Sequence, residues 1–348
     1  MRKSARLLAT LLATLAAAPV ADACTRILYE SGKGDFIVGR TMDWAADTET
    51  DLWAFPAGMA RTGGVGEKSI AWTSKHGSVI SSFYGIASVD GMNDAGLVGN
   101  VLYLAESDYG DYKTSQKPLL SVGAWLQYVL DNYTTVAEAV DALSKEPFAI
   151  VAPTMPDGKA ATGHLAIADK GGDSAIFEYI GGKLVIHHNK AYTVMTNSPT
   201  FDQQLAINGY WDTVGGMNFL PGSIRASDRF ARMSWMLNAA PKVDDPSVAS
   251  ATVMSLVRAI SVPLGIADPQ RPNIASTLWR TMADTGANRY FFESAYAPSI
   301  FWVDLDKLDL SPKGKPMKLD LQGHPILSGE SSDAFRPAEP FKFIAPAP

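Results

Sequence analysis

One cysteine, Cys24, stands in the whole 348-residue chain. A single thiol cannot form a disulfide within the chain, so stability has to come from packing rather than cross-links. With 47% hydrophobic residues, a chain of this length can bury a core large enough for that. Histidine is scarce as well: there are five, none in a zinc-type spacing. His187 and His188 are neighbours on a strand-like run, where side chains alternate between faces, so they do not converge on one ligand. His76, His164 and His324 stand apart and read as surface or core residues. A Cys/His catalytic pair and a zinc site are both disfavoured, and the chemistry read below needs neither a metal nor an organic cofactor. An excess of basic charge is missing too. There are 30 Lys and Arg against 36 Asp and Glu, a balance that argues against a nucleic-acid partner. No apolar run reaches the roughly 20 residues needed to span a bilayer.

What the N-terminus does have is Arg2, Lys3 and Arg6, an apolar run over residues 7–20, and Ala21-Asp22-Ala23, an A-x-A cleavage pattern. Residues 1–23 read as a secretion signal of bacterial type, cut between Ala23 and Cys24, so the mature protein is expected in the periplasm or outside the cell, without stable insertion in a membrane. A lipoprotein signal is the competing reading, in which the chain is a non-catalytic binding domain anchored through a lipid on Cys24; Ala21 and Asp22 suit it poorly. Removing residues 1–23 leaves 27 basic and 35 acidic residues, a net charge of −8. It also makes Cys24 the first residue. A lone cysteine is most often a small buried hydrophobe, but a freshly cut chain end is hard to bury inertly. With a thiol pKa of about 8.5 and an α-amine pKa of about 7.7 to 8.0, the amine can take the thiol proton. Nucleophile and base then share one residue.

Beyond Cys24, β-rich runs at 25–29 and 36–38 flank Gly32-Lys33-Gly34 and predict a hairpin. Runs at 78–84, 86–89 and 97–104 continue the β signal, with turns at Asp90-Gly91 and Asn93-Asp94-Ala95-Gly96. Val122, Trp125, Leu126 and Val129 keep helical spacing, as do Val136, Ala139, Val140 and Leu143, the second set introduced by a Thr135/Glu138 capping box. Four more runs, 165–168, 175–179, 184–187 and 192–196, read as an antiparallel meander ending at Asn197. Helices are expected over 228–238, capped by Ser227, and over 248–260, before strands at 277–281, 289–293 and 300–303. The order is sheet, helices, sheet, helices, sheet, without βαβ alternation. The natural packing is an α+β, four-layer αββα sandwich of two antiparallel sheets between helical layers. No linker or repeat divides residues 24–336, which read as one domain. Residues 337–348 form a Pro-rich tail expected to pack poorly.

An activated thiolate needs positive charge nearby. Arg40 and Asp43 lie where the second strand of the hairpin pairs back along the strand that follows Cys24. Arg40 could hold the thiolate and Asp43 could orient the amine; equally, the two could be an ordinary ion pair at a strand end.

Taken in order, Cys24-Thr25-Arg26, Gly39-Arg40-Thr41-Met42-Asp43, Gly91-Met92-Asn93-Asp94-Ala95-Gly96-Leu97, Thr196-Asn197-Ser198-Pro199 and Ser227-Asp228-Arg229-Phe230 resemble the choloylglycine hydrolase family, N-terminal-nucleophile amidases that include penicillin V acylases and bile salt hydrolases. The resemblance implies the Ntn-hydrolase form of the sandwich, an amidohydrolase acting on linear amides of small N-acyl substrates, and a homotetramer. It implies Cys24 as nucleophile with Arg40 and Asp43 beside it, Asn197 as an oxyanion donor and Arg229 in support. On local sequence alone Asn197 is also an ordinary turn residue and Arg229 a surface arginine. Tyr103 stands where bile salt hydrolases typically carry asparagine and penicillin acylases tyrosine; with Trp44 it is a candidate wall of an acyl pocket, the alternative being a core tyrosine. Penicillin V and N-acyl homoserine lactones therefore rank ahead of conjugated bile salts as expected substrates.

Overall fold

The computed structural model describes residues 24–158, 160–266, 275–297 and 299–346; the expected leader at 1–23 lies outside them. Thr25–Glu30 (β1) and Phe36–Trp44 (β2) form the opening hairpin. Leu52–Phe55 (β3) and the short strands Ala60–Thr62 (β4) and Ala71–Thr73 (β5) lead to Ser78–Phe83 (β6), Ala87–Asn93 (β7) and Val98–Leu102 (β8). Leu119–Ser121 (β9) runs into helices Val122–Asn132 (α1) and Val136–Leu143 (α2), and Ala149–Val151 (β10) pairs with β9. Strands His164–Ala168 (β11), Ser174–Ile180 (β12), Lys183–His188 (β13) and Val194–Thr196 (β14) follow. Helices Phe201–Val214 (α3), Ala226–Ala239 (α4) and Pro246–Ile260 (α5) precede Ser276–Asp284 (β15), Arg289–Ser294 (β16) and Ile300–Asp304 (β17). Met317–Leu319 (β18), Gly329–Glu330 (β19) and Arg336–Pro337 (β20) close the chain.

These strands make two large sheets, ordered β14-β1-β2-β15-β16-β17-β19 and β13-β12-β11-β8-β7-β6-β3-β18-β20. All their pairings are antiparallel except the short β17–β19 contact. Helices α4 and α5 lie on the first sheet, α1 and α2 on the second, and β7 meets β15 between them. The expected αββα sandwich is the fold. One core cluster runs through the first helical layer and between the sheets, joining Val253 and Val257 to Met42, Tyr290 and Met92; another joins Trp125, Leu126 and Val129 to Ile80, Leu165 and Phe177. The packing of α5 explains Gly39, where a Cβ would come within 2.6 Å of Val257 and 2.9 Å of Val253.

Local chemistry accounts for the helix starts. Thr135 accepts the Glu138 N–H at 3.2 Å, while the Glu138 carboxylate takes the Thr134 N–H, one residue upstream of the usual box partner. Asp245 caps α5, with Pro246 at its first position. Helix α4 begins at Ala226, so Ser227 lies inside its first turn rather than capping it.

Other expectations need correction as well. Asp90-Gly91 is not a turn but the middle of β7. Gly91 is there because a Cβ would come within 2.6 Å of Ile80, and Asp90 is buried against Tyr290 and Asn100. The turn lies earlier, at Tyr84-Gly85, both with positive φ. The supposed four-strand meander stops at β13, and β14 crosses to the edge of the first sheet to pair with β1. Arg26 spans this crossing, donating to the Ser174 hydroxyl on β12 and to the Tyr192 carbonyl just before β14, both at 3.3 Å. Helix α3 was not expected; its fully buried residues are Phe201 and Gln204, too few for an apolar stripe. The tail is packed as far as described: Phe341 lies edge-on to Trp53 at 5.5 Å, and the Ile344 N–H donates to the Ile86 carbonyl at 2.8 Å. Its aromatic residues find a hydrophobic floor that proline content does not reveal.

Candidate active site

Cys24 directly precedes β1 and is buried. The register Thr25↔Thr41 and Arg26↔Arg40 sets β2 alongside it. Side chains alternate along β2, so Arg40 and Asp43, three residues apart, face opposite sides of the sheet. Arg40 points at the second sheet, donating to the carbonyls of Val89 at 2.8 Å and Val101 at 2.9 Å and pairing with Asp90 at 3.4 Å. Asp43 points at the helical layer, where its carboxylate pairs with Arg229 of α4 at 2.6 Å. Both reach Cys24. The Asp43 backbone N–H donates to Cys24 Sγ at 3.4 Å, and Arg40 Nη2 lies 3.8 Å from the same sulfur. Arg229 Nη2 donates to the Cys24 carbonyl at 3.1 Å.

Burial pushes the Cys24 thiol up from its usual range; Arg40 and the Asp43 N–H pull it back, while the Asp43 charge adds to the rise. Attack by this sulfur therefore calls for a base to take the thiol proton. Burial likewise pushes the Asp43 carboxyl up, against the pull of Arg229, Thr277 and Thr41. Thr277 of β15 donates its hydroxyl to Asp43 at 2.5 Å and accepts the Val262 N–H at 2.8 Å. No sequence motif marks Thr277; only the pairing of β15 with β2 brings it there.

Asn197 follows β14, whose Thr196 is the register partner of Thr25. One step further along that register stands Asn197 beside Cys24. Its side chain is fully buried, and neither Oδ1 nor Nδ2 has a hydrogen-bond partner among the described residues. An orphaned buried amide is costly unless something completes it. The backbone around it is held firmly: Gln204 of α3 donates to the carbonyls of Thr196 and Asn197 and accepts from the Thr196 hydroxyl. Gln204 is a positioning residue that sequence reading missed together with its helix.

The start of α3 is tied to β12 by Glu178, which accepts the Phe201 N–H at 3.0 Å, His164 at 2.9 Å and His187 at 3.4 Å. Burial raises the Glu178 carboxyl, but the two histidines outweigh it and bring the net value down to about 2. A carboxyl depressed in the folded state stabilises above its unfolded pKa and loses that contribution as pH falls toward the folded value. The melting temperature is therefore expected to fall steeply between about pH 4.5 and pH 2, and Glu178→Gln should flatten that limb. Parallel curves for the two proteins in thermal unfolding against pH would rule this out.

On the other side of the sulfur is an apolar cleft. Cys24, Arg40, Trp44 and Tyr103 line it; Asp43, Asn197 and Arg229 do not. Trp44 lies edge-on to Phe83 at 5.3 Å and to Tyr103 at 5.9 Å, and its indole N–H donates to Asp157 at 3.0 Å. The arrangement is a thiol set between an apolar cleft and a buried charged pair, beside an unpaired amide, which suits attack on a carbonyl carbon.

The chain matches the profile of the linear amide C–N hydrolases, choloylglycine hydrolase family, over residues 24–324. It belongs to the choloylglycine hydrolase family. A penicillin V acylase of Pectobacterium atrosepticum is 51% identical to it, over 96% of this chain and 95% of the relative. The structure of a penicillin V acylase from Agrobacterium tumefaciens superposes with a TM-score of 0.87 at 52% identity, over 92% of this chain and all of that one. A bile salt hydrolase/transferase of Clostridium perfringens is more distant, 26% identical over 65% of this chain and 75% of the relative. A variant of the conjugated bile acid hydrolase from the same organism shares the fold, with a TM-score of 0.72 at 21% identity, over 85% of this chain and 97% of that one. As a member of the choloylglycine hydrolase family, the protein is an amidohydrolase of linear amides.

Proposed function

We propose that the protein is an acylase of penicillin V type whose working nucleophile is Cys24 at the N-terminus of a mature periplasmic or secreted chain. Removal of residues 1–23 frees the Cys24 α-amine. That amine takes the thiol proton as Sγ attacks the amide carbon, and the resulting oxyanion is held by Asn197 and a backbone N–H. Collapse breaks the C–N bond, with the amine's extra proton passing to the leaving nitrogen. Water, deprotonated by the same amine, then attacks the thioester and releases the acid and the thiol. Arg40 stabilises the sulfur as it becomes anionic. Asp43, anchored by Arg229 and Thr277, orients the amine.

The observation that carries this reading is Cys24 itself, buried where the apolar cleft meets Arg40 and Asp43. The start of the family match at residue 24 supports cleavage there. Trp44, Tyr103 and Phe83 offer aromatic walls for a phenoxyacetyl group, and an apolar pocket of this kind also accepts N-acyl homoserine lactones, since single methylenes change binding by only about 1 to 3 kcal/mol. A homo-oligomer, a tetramer by family resemblance, belongs to the same reading; exposed Tyr210 and Phe219 give it apolar surface to use. The test combines intact mass of the purified mature chain with hydrolysis rates for penicillin V, an N-acyl homoserine lactone and a conjugated bile acid. The expected result is an unmodified chain starting at Cys24 that turns over penicillin V or the lactone fastest. A diacylglyceryl adduct on Cys24, or bile acid turnover leading the three, would overturn the reading.

A further inference from the structure

The family match ends at residue 324, but the acyl cleft does not: one of its walls is Ile344, from the C-terminal segment. We propose that this segment is a built part of the cleft and that Ile344 selects the length of the acyl group. The inference rests on the acylase reading and extends it to residues outside the matched region.

Three anchors hold Ile344 in place. Its N–H donates to the Ile86 carbonyl at 2.8 Å, so the segment is tied to the turn between β6 and β7. Its carbonyl accepts the Ser121 hydroxyl at 2.5 Å. Ser121 is also the N-cap of α1, accepting the Gly123 N–H at 3.2 Å, so one hydroxyl both starts that helix and holds the tail. The third anchor is aromatic. Phe341 packs on Trp53 and Phe55 with centroids 5.5 and 6.0 Å away, and Phe343 lies 5.5 Å from Phe341.

The β4–β5 loop and the start of α1 are shaped to receive the segment. At Gly123 a Cβ would lie 3.1 Å from Ile344 Cγ2 and 2.8 Å from the Ile86 carbonyl, so a side chain there would push against the tail. At Gly64, with φ +76°, a Cβ would come within 2.9 Å of Phe343 Cβ. Ile86 and Gly123 line the same cleft as Cys24, Trp44 and Tyr103. The Ile344 side chain is thus a fixed apolar wall facing the space an acyl chain would fill. Because an apolar wall discriminates by volume, its size sets which chain length fits.

The test uses the mature enzyme and N-acyl amides of a single amine, with acyl chains growing from acetyl to dodecanoyl. In Ile344→Ala the kcat/KM optimum is expected to move to longer chains, with the ratio of the dodecanoyl to the butanoyl substrate rising about 10-fold or more, mainly through KM. Ile344→Trp should move the optimum the other way, and Ile326→Ala, at an exposed position outside the cleft, should leave it in place. Thermal unfolding within a few degrees of wild type certifies that the variants are folded, and Ile344→Val replaces the alanine variant if it is not. An unchanged chain-length profile in both Ile344 variants, with wild type active, overturns the inference and leaves the acylase reading standing. A wild-type enzyme that cleaves neither these amides nor penicillin V nor an N-acyl homoserine lactone overturns both.

Discussion

Replacing Cys24 with alanine in the mature chain is expected to lower linear-amide hydrolysis by about 10⁴-fold or more, because the nucleophile is removed outright. The chain has no second thiol to substitute for it. Stability should hardly move, since the sulfur makes only long contacts, 3.4 Å to the Asp43 N–H and 3.8 to 3.9 Å to Arg40 and Met42. Loss of rate without loss of fold separates a chemical role from a packing role. Cys24→Ser keeps the shape but presents a hydroxyl whose proton is much harder to remove, so it too should be severely impaired. Initial rates, together with the mass of an acyl adduct trapped on wild type and absent from the variants, provide the measurement. A Cys24→Ala protein retaining a tenth or more of wild-type activity would remove Cys24 from the mechanism.

The strand that serves Cys24 works on both of its faces. From β2, Arg40 reaches the second sheet and Asp43 reaches α4. The two charges are thereby kept apart by the sheet itself, each with its own partner, Asp90 or Arg229. A thiol at the strand's flank can feel a cation from one face and a backbone donor from the other. Asp90 is in turn fixed by Asn100 at 2.7 Å and by the Tyr290 hydroxyl, which bridges to Ser81 at 2.8 Å. Arg40 is therefore oriented by a buried network drawn from both sheets, and it lies over the Trp279 ring at 4.9 Å.

What was legible in the sequence was what local pattern encodes. The hairpin after Cys24, helices α1 and α2, and the pairing that sets Arg40 and Asp43 near the thiol all follow from periodicity and turn residues a few positions apart. The placement of Asn197 was legible only as a motif, since the sequence pattern drew β14 as the end of a meander. Its crossing to β1 is a choice between two sheet edges that no local propensity records. Asp90-Gly91 is hidden for a related reason: the dipeptide is typical of turns, and the glycine is required by the Ile80 side chain on the neighbouring strand, which local sequence does not show. Helix α3 carries no apolar stripe because it rides on the surface through Phe201 and Gln204. The tail looked unstructured by composition, yet its order is conferred by Trp53, Phe55 and Ser121, far away in sequence.

Asn197→Ala is expected to reduce kcat by about 10² to 10³-fold, the usual loss for one oxyanion donor, equivalent to about 3 to 4 kcal/mol of transition-state stabilisation. KM should change little, because the amide acts on charge that develops only during the reaction. A buried asparagine that is hydrogen-bonded in the fold costs stability when truncated, since its partners are left unsatisfied. Asn197 has no such partners among the described residues, and the backbone that carries it is held by Gln204 instead. Alanine at this position should therefore leave the melting temperature unchanged or raise it, as a buried polar group without a partner is relieved. Asn197→Asp should be worse than alanine for rate, placing an acceptor with negative charge where a donor is needed. Steady-state kinetics and thermal unfolding of the same preparations decide the matter: a variant that loses stability in proportion to activity would make Asn197 a structural residue, whereas activity lost at constant stability makes it the group that meets the oxyanion.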